Sequence, residues 1–159
     1  MILVVGASGL TGLEICRQLA KAGKPVRALV RSTTDPGKQQ ELKRLGVSLT
    51  LGDLKEPSSL KDALGGISTV ISTASSTFSR RSGDSIEAVD LQGQLSLVRS
   101  AKAAGVAHFI FLSFPPLAED FALQRAKRAV ENALVEGDGV AIGRKRGFRI
   151  GQASPSSSR

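Results

Sequence analysis

Five apolar residues, Met1 to Val5, run directly into Gly6-Ala7-Ser8-Gly9-Leu10-Thr11-Gly12, and an amphipathic stretch from Leu13 to Ala22 follows. This arrangement restricts the possible folds more than any other feature of the chain. A short, wholly apolar run is the pattern of a strand buried on both faces, as in a parallel sheet. The three glycines have separate jobs. Gly6 ends the strand in a tight turn, Gly9 removes a Cβ so that backbone can approach a pyrophosphate, and Gly12 lets the helix pack closely on the sheet. Gly12, Ile15, Cys16, Leu19 and Ala20 fall at i, i+3, i+4, i+7 and i+8, one apolar helical stripe that includes Gly12. Gly23 is placed as a left-handed helix stop. The helix therefore starts with its free N–H groups and positive dipole end at the turn, a site for the phosphates of a dinucleotide.

The same alternation continues. Strands are expected at Pro25–Val30, Val47–Leu51, Thr69–Ser72 and His108–Leu112. Helices are expected near Lys38–Leu45, at Pro57–Leu64, from about Ile86 to Ala104, and from Phe121 to Val135, with Leu91, Leu95 and Val98 on the inward face of the third of these. Strands alternating with helices predict an α/β fold: a doubly wound parallel sheet covered on both faces, a Rossmann-like three-layer αβα domain over residues 1–136. The pattern stops after Glu136. Residues 137–159 hold at most one short strand and end in a Ser-rich run, so a divergent, disordered tail is expected there.

Composition narrows the class. The chain has 159 residues, 41% hydrophobic, enough for one domain with a real core. No apolar run reaches the ~20 residues that cross a bilayer, so no membrane partner is expected. One Cys and one His argue against a structural metal site. Cys16, on the apolar stripe, reads as a small core residue; together with the absence of a leader before the first strand it points to a reducing cytoplasm. Half of the +8 net charge lies in residues 138–159, around Arg144, Lys145, Arg146 and Arg149. A short basic tail of this kind reads as solvated rather than as a specific nucleic-acid reader. The remaining charge suits an anionic cofactor.

Candidate site residues follow from the sheet's expected carboxyl edge. Arg31 ends the second strand ~20 residues after the glycine turn, where NAD binders carry an acid for the ribose 2′-hydroxyl; an Arg there favours the 2′-phosphate of NADP over NAD. Ser32, Thr33 and Thr34 add hydroxyls, and Asp35 is a counter-signal. Asp53, in Gly52-Asp53-Leu54, is placed either at the adenine or in a local turn before Pro57. Ser72, Thr73 and Ala74 leave the fourth strand where a nicotinamide ribose would lie, and their small side chains admit a cofactor. Lys127 shares an inward stripe with Leu123, Val130 and Leu134, whereas Arg125 and Arg128 can face solvent. An inward Lys can hydrogen-bond a ribose or protonate a substrate, or simply snorkel.

Together these segments resemble the NmrA-like group of atypical short-chain dehydrogenases. The resemblance covers about residues 1–136 and rests on GASGLTG at 6–12, GDL at 52–54, VDLQGQLSLVRSAKAAGVAHFIFLS at 89–113 and AKRAVENAL at 126–134. It implies an NADP(H)-binding fold and reductase activity on a small carbonyl or quinone-like substrate. Gly6 to Gly12 match the pyrophosphate turn, Arg31 the 2′-phosphate position, Lys127 the Lys beside the nicotinamide, and Ser113 the Ser or Thr that ends the fifth strand. Two departures accompany the match. The chain has no Tyr, so the Tyr–Lys pair of ordinary short-chain dehydrogenases cannot form. The family's sixth strand and substrate-binding region are not clear after the Lys helix, so the domain reads as truncated relative to the family. Members that bind the dinucleotide without turning it over, as redox-sensing regulators, supply the alternative function.

Overall fold

A computed structural model describes residues 1–77, 79, 81–135 and 141–142. The element order is β1 (Ile2–Val5), α1 (Leu10–Lys21), β2 (Val26–Val30), α2 (Pro36–Arg44), β3 (Ser48–Leu51), α3 (Pro57–Leu64), β4 (Thr69–Ser72), a π-helical segment (Ile86–Gly93) that runs on into α4 (Gln94–Ala103), β5 (His108–Phe111), α5 (Ala122–Val135) and β6 (Ala141–Ile142). Every strand pair is parallel, in the order β3-β2-β1-β4-β5, with the two-residue β6 added at the β5 edge. Ile2 is in register with Val26 on one side and Thr69 on the other, so β1 is central and the strand order reverses between β1 and β4. The expected doubly wound sheet is present. Of the expected tail, Ala141–Ile142 form β6; residues 136–140 and 143–159 lie outside the described residues.

Strand alternation divides the core in two. Leu3, Val5, Leu29, Val70, Phe109 and Phe111 point to one face and pack with Leu60, Leu64, Leu97, Val130 and Leu134 from α3, α4 and α5. Val4, Val26, Ala28 and Val30 point to the other face and pack with Cys16 of α1 and Leu42 of α2. These are the three layers, each helix contributing the stripe its periodicity supplies.

The structure changes one helix. The expected single α-helix over 86–104 opens as a π-helix, wider than an α-helix. Its buried residues are Val89, Asp90 and Gly93, followed in α4 by Gln94, Ser96, Leu97, Val98 and Ala101. Leu91 and Leu95, expected at the centre of the inward face, sit only partly buried at its margin. The wider winding brings Asp90 and Gln94 inward together, where both find polar partners, and this rotates the two leucines outward. Gly93 permits it: a Cβ there would lie 2.8 Å from Leu54 Cβ.

Cys16 is fully buried, and burial pushes its thiol up to about 11 because the thiolate would lose its hydration. At pH 8 the native thiol is therefore protonated as well as inaccessible. Native protein should leave an aromatic disulfide reagent unreacted at pH 8, and one thiol per chain should react within minutes in denaturant.

Candidate functional site

The carboxyl ends of the strands form one edge, and the glycine turn lies at its switch point between β1 and β4, the position where open α/β sheets bind ligands. Gly6 adopts φ +83°, a left-handed conformation that glycine takes without strain. A Cβ on Gly6 would stand 2.7 Å from Ala74 N, so the turn and the β4 exit close on each other only through glycine. Thr73 tightens the same contact, donating its backbone N–H to Val5 O at 2.9 Å and its hydroxyl to the same oxygen at 3.2 Å. Gly9 donates to Gly6 O at 3.0 Å. A Cβ on Gly12 would lie 2.2 Å from Gly6 O, so α1 seats against the turn because Gly12 has none.

The start of α1 fits a phosphate. Its cap residue, Gly9, makes no side-chain cap bond, whereas α2 is capped by the Asp35 carboxylate, which accepts from Lys38 N at 3.0 Å. The first-turn N–H groups of α1 therefore keep their donors for an anion. Ala7 is buried and offers only backbone, Ser8 is half-buried, and Leu10 and Thr11 are exposed at the tip. Asp35, the counter-signal to an NADP reading, is used as this cap.

Beside the turn, Arg31, Ser32, Thr33, Asp53, Lys55, Ser59, Arg81 and Asp84 line an open cleft of about 640 Å³. Arg31 is ion-paired at 2.8 Å to Asp84, a carboxylate that is 2% exposed and also accepts from Lys55 Nζ at 2.8 Å and Ser79 Oγ at 2.6 Å. Burial alone would raise the Asp84 carboxyl; the bonds from Arg31, Lys55 and Ser79 outweigh it and hold the group well below the usual carboxylate range. Thr34 is buried and its hydroxyl accepts from Arg31 N, while Thr33 is engaged by Arg81. The local turn the sequence offered for Asp53 is present: its carboxylate accepts from Lys55 N at 2.9 Å, and the residue also lines the cleft. Leu54 beside it points into the core. So does Ser72, whose hydroxyl donates to Gln94 Oε1 at 2.9 Å; its side chain is part of the interior rather than of the cleft.

A second cluster forms where α5 packs on the π-helical segment beside Phe111 of β5. Lys127 is buried, with Nζ 4.6 Å from the centre of the Phe111 ring and 3.7 Å from Asp90 Oδ1. Asp90 is fully buried; its Oδ2 accepts from Ser76 N at 2.9 Å and Ser76 Oγ at 2.6 Å. Among the described residues, Asp90 Oδ1 and the buried Ser113 Oγ have no hydrogen-bond partner. Burial lowers the Lys127 pKa by penalising the ammonium, and the negative charges of Asp90 and then Glu131 oppose that shift. Lys127 is thus an inward cation whose proton is easier to release than an ordinary lysine's. Its neighbour Arg128, expected in solvent, is half-buried instead: it lies 5.8 Å from the Phe114 ring centre and bonds Phe114 O and Glu131. Sequence reasoning missed Lys55, Ser76, Asp84, Asp90 and Gln94. A signal for the last two was present, since Asp90 and Gln94 are four apart in an otherwise apolar face; apolar periodicity alone discounted them.

The model of the NmrA-like family matches residues 1–129, and the chain belongs to that family. The fold and the glycine turn are those of a nicotinamide-dinucleotide-binding Rossmann domain. Two relatives illustrate the range of the family. The chain is 41% identical over 112 residues to the photosystem II assembly factor Ycf39 of Cyanophora paradoxa, covering 70% of this chain and 33% of that protein. It is 36% identical over 132 residues to the NAD(P)H azoreductase of Xenophilus azovorans, covering 83% and 42%. Among solved structures, a short-chain dehydrogenase/reductase superfamily protein of Agrobacterium tumefaciens with bound NAD superposes with a TM-score of 0.71 at 25% identity, over 89% of this chain and 48% of that one. The chain thus spans less than half the length of each of these proteins.

Two measurements check the geometry. Gly12→Ala should lower stability by about 2–3 kcal/mol, because the new methyl must displace the turn, and should abolish dinucleotide binding. In urea melts, Asp84→Asn should lower stability at pH 7. A carboxylate with a depressed folded-state pKa stabilises above its unfolded value of about 3.9 and loses that contribution as pH falls below it. The gap between the wild type and the variant should therefore narrow steadily on acidification from pH 5 to pH 2.

Proposed function

We propose that this domain binds NADP(H) and serves an NADPH-dependent oxidoreductase acting on a small carbonyl, quinone-like or azo acceptor. The observation that carries this reading is the shared sheet edge: an uncapped, glycine-built anion site at β1 and a buried Lys127 at β5, both at the carboxyl ends of the strands. Family membership and the azoreductase relative support the redox chemistry. In this reading the α1 N-terminus and the turn from Gly6 to Gly12 hold the pyrophosphate. Arg31, with Ser32 and Thr33, faces the 2′-phosphate and so selects NADP over NAD. Asp53 and the Leu54 backbone border the adenine, and Thr73 and Ala74, with the Ser72 backbone, border the nicotinamide ribose.

The bound cofactor supplies the hydride. Lys127 does the protein's part of the chemistry, donating a proton or hydrogen bond to the acceptor oxygen or nitrogen as negative charge develops there. The Asp90 carboxylate, 3.7 Å away, favours the charged ammonium of Lys127, and Phe111 gives it an aromatic face. Ser113, with its hydroxyl free among the described residues, supplies a second donor at the end of β5. The burial of Cys16 as a core thiol suits a reducing compartment such as the cytoplasm, and no described helix is long and apolar enough to cross a membrane.

A second reading is a dinucleotide-sensing protein without turnover. The lack of any Tyr and the 41% match to an assembly factor favour it. NADPH oxidation measured against quinones, aldehydes and azo dyes separates the two. Under the first reading, Lys127→Ala should lower kcat by about 100-fold or more while NADPH affinity stays within a few-fold. Because the proton donor must be protonated and burial lowers its pKa, kcat should fall with rising pH at a value below the ~10.4 of a free lysine. Saturable NADPH binding with no turnover of any acceptor establishes the second reading.

A further inference from the structure

Arg31 alone was read from the sequence as the cation for a 2′-phosphate, but the structure sets a second cation beside it. Lys55 Nζ and Arg31 Nη1 each lie 2.8 Å from opposite oxygens of the Asp84 carboxylate. Asp84 is 2% exposed, whereas Arg31 and Lys55 are 34% and 29% exposed and line the cleft. The carboxylate is therefore the floor of the arrangement, and the two cations are its walls. Two positive charges share this one negative charge, while Arg81 and the acids Asp53 and Glu56 complete a lining whose formal charges balance. Arg31 uses one N–H of its fork on Asp84 and Lys55 one of its three donors, and the rest are unengaged among the described residues. Of the other acids that line the cleft, Asp53 accepts from the Lys55 backbone and Glu56 is exposed at the rim.

Two local features place Lys55 in this position. Asp53 Oδ1 caps the Lys55 N–H and turns the chain after β3. Pro57 then starts α3, so the lysine sits on a short connection between two rigid elements. Opposite, Gly83 takes φ +76° beside Asp84, the left-handed turn that glycine adopts without strain. A buried ion cluster adds little net stability by itself, since desolvation offsets the attraction. Here both cations keep donors open to the cleft, and such N–H groups make short charge-assisted bonds to phosphate oxygens.

We propose that Lys55 is a second ligand of the 2′-phosphate, paired with Arg31 across Asp84, and that it sets the preference for NADPH over NADH. The proposal rests on the NADP reading of the cleft. Phosphate oxygens would accept from the free donors of both cations, a bidentate contact from Arg31 and a point charge from Lys55.

The test is titration of NADPH and NADH into the full chain, read by nicotinamide fluorescence, for the wild type and for Lys55→Met, Lys55→Arg and Arg31→Met. Thermal melts of each variant show that it is folded. Lys55→Met should weaken NADPH by about tenfold or more and leave NADH within twofold, and Lys55→Arg should retain most of the NADPH preference. Competition should follow the same order, with 2′,5′-ADP losing affinity in Lys55→Met and 5′-AMP not. Equal loss of both nucleotides, or of neither, in a folded Lys55→Met protein overturns the assignment of Lys55. If Arg31→Met lowers NADPH affinity selectively and Lys55→Met does not, only this inference fails. If the wild type binds both nucleotides equally and Arg31→Met changes neither, the NADP reading of the cleft fails first, and this inference with it.

Discussion

The seating of α1 on the first turn is the contact on which the site depends. Gly12 has no side chain, and the space its Cβ would occupy lies 2.2 Å from the Gly6 carbonyl oxygen. That approach aims the uncapped helix start at the crevice between β1 and β4. It also lets Gly6 close on Ala74, so that the β4 exit and the β1 exit share one wall. The turn, with the uncapped helix start, is made of backbone, held by the absence of atoms at two glycines. Its side chains do other work: Ala7 fills the core, and Thr73 ties β4 to β1.

Around this backbone site the structure places two different uses of charge. In the cleft near β2 and β3, one buried carboxylate organises cations that keep free donors. Near β5, a buried carboxylate faces a buried lysine at 3.7 Å, too far for a good hydrogen bond and too close to be independent. The first arrangement leaves donors of Arg31 and Lys55 unengaged among the described residues at the cleft. The second leaves a cation whose proton affinity is set by burial against a nearby negative charge. The two charge clusters thus sit toward opposite ends of one sheet edge, with the glycine turn between them.

The π-helical segment joins the second arrangement to the sheet. Asp90 and Gln94 face inward together, and each holds a piece of the chain that leaves β4. Asp90 takes both the backbone N–H and the hydroxyl of Ser76; Gln94 accepts from Ser72 and donates to Ala74 O at 2.9 Å. These bonds satisfy polar groups that would otherwise be buried at a cost. They also fix the exit of β4 against the glycine turn. Gly93 makes the geometry possible by letting the widened helix approach Leu54.

The sequence by itself determined the strands, the extents of the helices, a parallel doubly wound sheet and the glycine turn, because each rests on a local pattern of apolar runs, a 3.6-residue stripe or spaced glycines; the strand order and the π-helical opening at Ile86–Gly93 came from the tertiary structure. The sequence also determined that Lys127 faces inward, since Leu123, Val130 and Leu134 define that stripe. It did not determine that Asp90 and Gln94 are interior, because apolar periodicity assigns buried polar residues to the surface and only their partners on the β4 exit reverse this. It did not reveal the cluster of Arg31, Lys55 and Asp84, whose members lie 24 to 53 positions apart in the chain. Nor did it decide that the side chains of Ser72 and Leu54 turn into the core while Asp53 stays at the cleft. Those outcomes belong to the tertiary structure, because the strength of a charge or a hydroxyl depends on what the fold brings within about 3 Å of it.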